Sequence, residues 1–236
     1  MVLATTNYDF LHQYIDADFS DGASTVAPPG AKSPRQLVEL MEEIRADTRF
    51  DGIFENPGPS NIGPLFELRQ DVVLHYYHQL SVTAGKLDPS QLVFVRKEKA
   101  NETVDNVLEA HYELTRLATL LLLCMSPPDT SPQYDFFICH LLTIAYAIRT
   151  LLPELPSKYA PAMIKAHWLF FIVVYCIQLR PKIRPEVIDH VDVGGRSWDD
   201  IIAKALGQKK EGHCVEDTHY IKGLLSLPLV HAHSRQ

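Results

Sequence analysis

The sequence is poor in the motifs that usually announce a function. Its eleven glycines never fall into G-x-G-x-x-G, and Gly58 to Gly63 runs into Pro64 instead of a lysine. Neither a dinucleotide fingerprint nor a phosphate-cradling P-loop is therefore encoded. No serine stands in G-x-S-x-G, so the nucleophile elbow of the hydrolases is missing too. There are only four cysteines (Cys124, Cys139, Cys176 and Cys214), with no C-x-x-C pair, and three of them lie inside apolar stretches. Such thiols behave as small hydrophobes in a reducing compartment, which makes the cytoplasm the expected location. Basic charge is in deficit, with 22 Lys and Arg against 29 Asp and Glu and a net charge of -7. Nucleic acid is a poor partner for that balance, because phosphate binding leaves a basic footprint. The opening Met-Val-Leu-Ala-Thr-Thr-Asn has no basic segment followed by an apolar one, so no secretory signal is read. The most apolar runs, Leu117 to Met125 and Trp168 to Leu179, fall short of the roughly 20 residues of a membrane-spanning helix, and no membrane partner is expected.

What is present is the composition of a folded chain: 236 residues, 46% hydrophobic and 22% charged. That excludes a disordered tail, and the length fits one domain or at most two small ones. The Gly- and Pro-bearing stretch 20–32 reads as a loop. Ser33-Pro34, with Gln36 completing a capping box, opens a helix whose apolar stripe is Leu37, Leu40, Met41 and Ile44. Asn56-Pro-Gly-Pro-Ser60 breaks the chain before a second helix, about Gly63 to Leu80. A third is expected from about Asn101 to Met125, a fourth from about Tyr134 to Leu152 and a fifth from about Ala160 to Leu179. The last two are apolar on nearly every face, which predicts two fully buried central helices. Ser197 caps a short helix through Leu206, and a last one should start near Glu216. Strand-like alternation is confined to Leu92 to Val95. The fold class is all-α, an irregular bundle of about six to eight helices.

Eleven histidines are the richest source of chemistry, since imidazole is both a proton carrier and the commonest metal ligand. His12, His75, His78 and His190 sit at helix ends or on mixed faces, His111 reads as surface, and His231 and His233 belong to a tail. His140, in Asp135-Phe-Phe-Ile-Cys-His-Leu-Leu-Thr143, falls in a helix expected to be buried on all sides. There it needs a backbone carbonyl, Asp135 or a metal as partner. His219 and Lys222 are three residues apart, so on a helix they share a face. Glu216-x-x-His219 is half of a carboxylate-bridged di-iron pattern whose second half is missing. Tyr146, Phe137, Trp168 and Phe171 are candidates to line an apolar pocket, with ordinary core as the competing reading.

Several of these segments together resemble a known family. Tyr8-Asp-Phe-Leu-His12, Ile44-Arg-Ala-Asp-Thr-Arg-Phe-Asp51, Tyr134-Asp-Phe-Phe-Ile-Cys-His140, Leu179-Arg-Pro-Lys-Ile183, Trp198 and Asp217-Thr-His-Tyr-Ile-Lys222 look, in that order, like the questin oxidase family of fungi. The resemblance implies an oxygenase of polyketide secondary metabolism that opens the ring of an anthraquinone by a Baeyer-Villiger-like oxidation, with NADPH as reductant and no flavin. One branch resembles a non-haem iron oxygenase, which makes His140 and His219 metal ligands and Lys222 a carbamate ligand to Fe(II). Such a carbamate is a hard anionic oxygen donor that suits Fe(II) alongside imidazole. It also implies that residues 1–236 are a single all-α domain equivalent to the C-terminal half of a longer protein. A planar aromatic polyketide is then the substrate, and a complementary N-terminal segment or a further copy of the chain the partner. The competing reading is a catalytically inactive helical domain of that descent that binds a partner.

Overall fold

The computed structural model describes residues 30–83, 106–125, 134–189 and 194–207, without the side chains of residues 35, 189 and 205–207. Its helices are α1 (Leu37–Ala46), α2 (Ile62–Gln79), α3 (Asn106–Cys124), α4 (Phe136–Leu151), α5 (Ala160–Ile177), α6 (Glu186–Asp189) and α7 (Trp198–Gly207). Among the described residues β structure is limited to an isolated parallel bridge between Lys32 and Leu80. The class is all-α, as the hydrophobic periodicity predicts. The strand-like Leu92 to Val95 and the helix expected near Glu216 lie outside the described residues.

Helix α5 is the axis of the bundle, because its sequence offers solvent almost no polar face. Fifteen of its residues are buried, from Ala160 to Ile177. Helices α2, α3 and α4 all pack against it, and the closest pairing besides these is α3 with α4. Trp168 is fully enclosed, and its indole N–H donates to the Tyr76 carbonyl of α2 at 3.1 Å, which satisfies the one polar atom of that ring. Burial of an aromatic side chain of this size is worth several kcal/mol, about 3–5 when it is truncated to alanine.

Helix α4 departs from the expectation of a second fully buried helix. Ile138, Leu141, Leu142, Ala145 and Ile148 face the core, but Phe136, Tyr146 and Leu151 are exposed. Among the described helices only α3 and α5 make extensive contact with it, and none of the others covers its opposite side. With its flanking turn it runs Phe136–Glu154, 19 residues, and α5 with its leading turn runs Ser157–Ile177, 21 residues. Both reach the length and apolarity needed to cross a membrane, contrary to the shorter runs visible in the sequence. For α5 that apolarity belongs to a core helix, since 89% of its most apolar stretch is buried within the protein, against 33% for α4.

Local chemistry sets the helix boundaries. The Ser33 N–H donates to the Gln36 side chain at 3.2 Å, as the capping box requires. Asp135 caps α4 by accepting from the N–H groups of Phe137 and Ile138 at 2.8 and 2.9 Å. At the other end of α5 the chain turns through two left-handed residues that are not glycine, Leu179 (φ 62°) and Arg180 (φ 51°). The N–H groups of Arg180 and Leu179 donate back to the carbonyls of Tyr175 and Cys176, which is a Schellman ending with leucine where glycine is usual. Left-handed geometry at such residues costs about 1–2 kcal/mol each. The Arg180 side chain offsets it: Nη1 donates to the carbonyls of Ile44, Arg45 and Asp47 at 3.1, 3.0 and 2.9 Å, and Nη2 to Asp51 Oδ1 at 2.7 Å. Four residues on, the Arg184 N–H donates to the Cys124 carbonyl and its guanidinium to that of Met125. Two arginines after α5 thus satisfy the orphan carbonyls at the ends of α1 and α3. On the other flank Gly58, at φ 145° where a side chain is strained, donates its N–H to the Ile177 carbonyl at 3.0 Å.

The segment after α1 is fixed by a polar cluster. Asp47 accepts from the Arg49 guanidinium at 2.5 Å and from the Tyr76 hydroxyl at 2.9 Å. The Arg49 bond leads in holding the Asp47 carboxyl down to about 2, whereas burial, ahead of the bond to Asp47, pushes the Tyr76 hydroxyl up to about 12. A carboxylate whose folded value lies below its ordinary ~3.9 stabilises the fold above that value and loses the contribution as pH falls toward 2. Asp47→Asn should therefore cost ~1–2 kcal/mol at pH 7, discounted for the half-exposed Arg49, and the gap from wild type should close between about pH 4 and pH 2 in urea titrations.

Candidate functional site

Of the three expected ligands the described one is His140, on the second turn of α4. It is half-buried, not enclosed on all sides, because α4 turns this face away from α3 and α5. Its Nδ1–H donates to the Phe136 carbonyl one turn back at 2.7 Å, and the ring meets the edge of Phe136 with centroids 4.6 Å apart. Of the partners weighed from sequence, a backbone carbonyl is the one observed at Nδ1, while Asp135 is occupied as the helix cap. With Nδ1 carrying the proton, Nε2 is the nitrogen that bears the lone pair. His219 and Lys222 lie outside the described residues, as do His12, His190, His231 and His233. Their convergence with His140 is therefore an expectation from the sequence. His75 and His78, read as helix-end or mixed-face residues, are exposed on α2.

The aromatic candidates do not share one surface. Trp168 and Phe171 are fully buried core residues of α5, Phe137 packs partly buried against that core, and Tyr146 is 46% exposed on the outer side of α4. Ordinary core accounts for the first three. Among the described residues the exposed aromatic side chains are instead Tyr134, Phe136 and Tyr146, all on or beside α4 and within six residues of His140.

The structure brings together two other imidazoles. His167 is completely buried in the middle of α5, and its Nε2–H donates to the Leu141 carbonyl at 3.0 Å. His111 is half-buried on α3, and its Nε2–H donates to the Ala145 carbonyl at 2.9 Å. Leu141 and Ala145 are one turn apart on the inner face of α4, so both rings hold the same stretch of helix. Burial, with His111 as the next cause, pushes the His167 imidazole down to about 3, and burial lowers that of His111 as well. Both are neutral near pH 7. His167 Nδ1 has no hydrogen-bond partner although it is buried.

His167 escaped the sequence reading, and His111 was assigned to the surface. A signal existed for both. His167 is the one imidazole inside the most apolar of the described helices, and His111 follows Ala110 on the stripe Val107, Ala110, Leu114, Leu117 that α3 buries.

Compared with known families, the chain matches a family model described as questin oxidase-like over residues 2–227. It belongs to the questin oxidase-like family. The match takes in nearly the whole chain and is not confined to a C-terminal half. Among curated proteins nothing matches it. For a questin oxidase-like protein an oxidase-type chemistry is the coarse functional assignment, and the all-α bundle is its scaffold.

Replacing His111 or His167 with alanine should destabilise the domain by ~2–4 kcal/mol, since each removes a buried hydrogen bond to α4 and leaves a void. His140→Ala should cost under ~1 kcal/mol, because that ring is half-exposed and bonds within its own helix. Denaturant unfolding of the three variants measures the difference.

Proposed function

We propose that the chain is an oxidoreductase that opens the ring of a planar, anthraquinone-type polyketide in the cytoplasm, with Fe(II) at its centre and NADPH as reductant. The family match over residues 2–227 carries this reading. His140 supports it, since an imidazole whose Nδ1–H is tied to a backbone carbonyl is held in one tautomer and presents Nε2 as a donor nitrogen. His219 and Lys222, the latter as its carbamate, are the other ligands proposed. Among the described residues no three His, Cys, Asp or Glu side chains gather to hold a metal, so His140 fits one position and the described part alone does not complete the sphere. Iron bound there would supply the redox chemistry that imidazole and lysine lack. The protein's own part is to hold His140 in register on a capped helix and to offer apolar contact to a flat substrate through Phe136 and Tyr134.

A second reading, an inactive domain that binds a partner, draws on the same exposed face of α4, where Phe136, Tyr146 and Leu151 meet solvent. Product analysis separates the two. The chain incubated with Fe(II), NADPH and an anthraquinone should yield a ring-opened product, and His140→Ala should lower the rate at least about 100-fold while remaining folded. No product from the folded wild-type chain, together with binding of another protein through α4, would favour the second reading.

A further inference from the structure

Helix α4 is the least enclosed of the three helices that meet at its inner face. It buries five side chains, against eight for α3 and fifteen for α5. Two of the contacts that hold it are polar: His111 of α3 and His167 of α5 donate Nε2–H to the carbonyls of Ala145 and Leu141. Protonation of such a ring leaves that bond intact and adds an N–H and a positive charge at Nδ1. At His167 neither has a place, because Nδ1 is enclosed without a partner and the ring lies against Phe171, with centroids 4.9 Å apart. Among the described residues two titratable groups bear on the pair, Arg149 of α4 on His111 and His111 on His167, and both oppose further positive charge. Helices α1, α2 and α6, which also pack on α3 or α5, contribute none.

We propose that His111 and His167 make α4 an acid-released helix, which leaves α3 and α5 when these rings take up protons while the rest of the bundle stays folded. Release reaches α4 first because it has the fewest buried side chains to lose and no described helix on its far side. The sign follows from burial, which outweighs the carbonyl bond and holds the His167 imidazole down to about 3, against ~6.5 in water. The open state therefore binds the proton more tightly, and opening is favoured as pH falls below about 6.5. Between pH 7 and pH 5 His167 alone raises the opening constant about 25-fold, and His111 acts in the same direction. Because His140 rides on α4, acid would also unseat the imidazole of the site proposed above. The release itself stands whether or not His140 is a ligand.

Amide hydrogen exchange of the full chain between pH 7 and pH 5, corrected for the intrinsic rate at each pH, reads the opening of each helix separately. Protection of the inner amides of α4 should fall about 25-fold or more over that range, while α5 keeps its protection. The variant carrying both His111→Gln and His167→Gln retains a side-chain N–H for each α4 carbonyl but nothing that titrates. In it the protection of α4 should change less than about threefold. ¹⁵N-histidine spectra of the wild type supply a readout that needs no variant: the closed state should still show His167 neutral at pH 5. Constant protection of α4 in the wild type would overturn the proposal, as would equal loss in α4 and α5, which is acid unfolding of the whole bundle. A charged His167 in the closed state, or an unchanged pH dependence in the folded double variant, would overturn it as well. None of these results bears on whether His140 binds a metal.

Discussion

The burial of α5 is the constraint from which the rest of the structure follows. A helix with fifteen buried residues out of eighteen cannot border water, so α2, α3 and α4 must close around it, and both its ends must find partners for their backbone groups inside the protein. The Schellman turn at Leu179 and Arg180, the donation of Gly58 to Ile177 and the indole bond of Trp168 to Tyr76 all meet that requirement. Arg180 and Arg184 extend it outward, carrying the order of α5 to the ends of α1 and α3. Ile44 to Asp51 and Leu179 to Ile183, two of the segments that carry the family resemblance, are joined in this way: one supplies three carbonyls and the Asp51 carboxylate, the other the Arg180 guanidinium.

Much of this architecture was legible beforehand. Apolar stripes, the Ser33 cap and the Pro-Gly-Pro break placed α1, α2, α4 and α5 to within a few residues, because those signals are local. The degree of burial of α4 was not legible. Its composition is nearly as apolar as that of α5, yet which helices are left to cover it is a property of the whole bundle. His140 followed α4 and lies half-exposed for the same reason. His111 and His167 show the opposite limit. Single residues on buried stripes carry no motif, and their meaning appears only when two helices bring both rings to carbonyls one turn apart on a third.

The functional account therefore has two layers. Family membership supplies oxidase-type chemistry, and the His140 face of α4, with its exposed aromatic residues, is where a flat substrate is proposed to meet the protein. Beneath it, α4 is held by two neutral imidazoles from α3 and α5, so the helix carrying His140 depends on His111 and His167 for its position.

The tautomeric state of the two rings tests this arrangement most directly. Long-range ¹H–¹⁵N correlation spectra of the ¹⁵N-histidine-labelled chain, recorded without metal at pH 7, report which nitrogen of each ring carries the proton. The account predicts neutral rings protonated at Nε2 for both His111 and His167, with their N–H protons protected from exchange. A charged imidazolium, or a proton on Nδ1 in either ring, would contradict it.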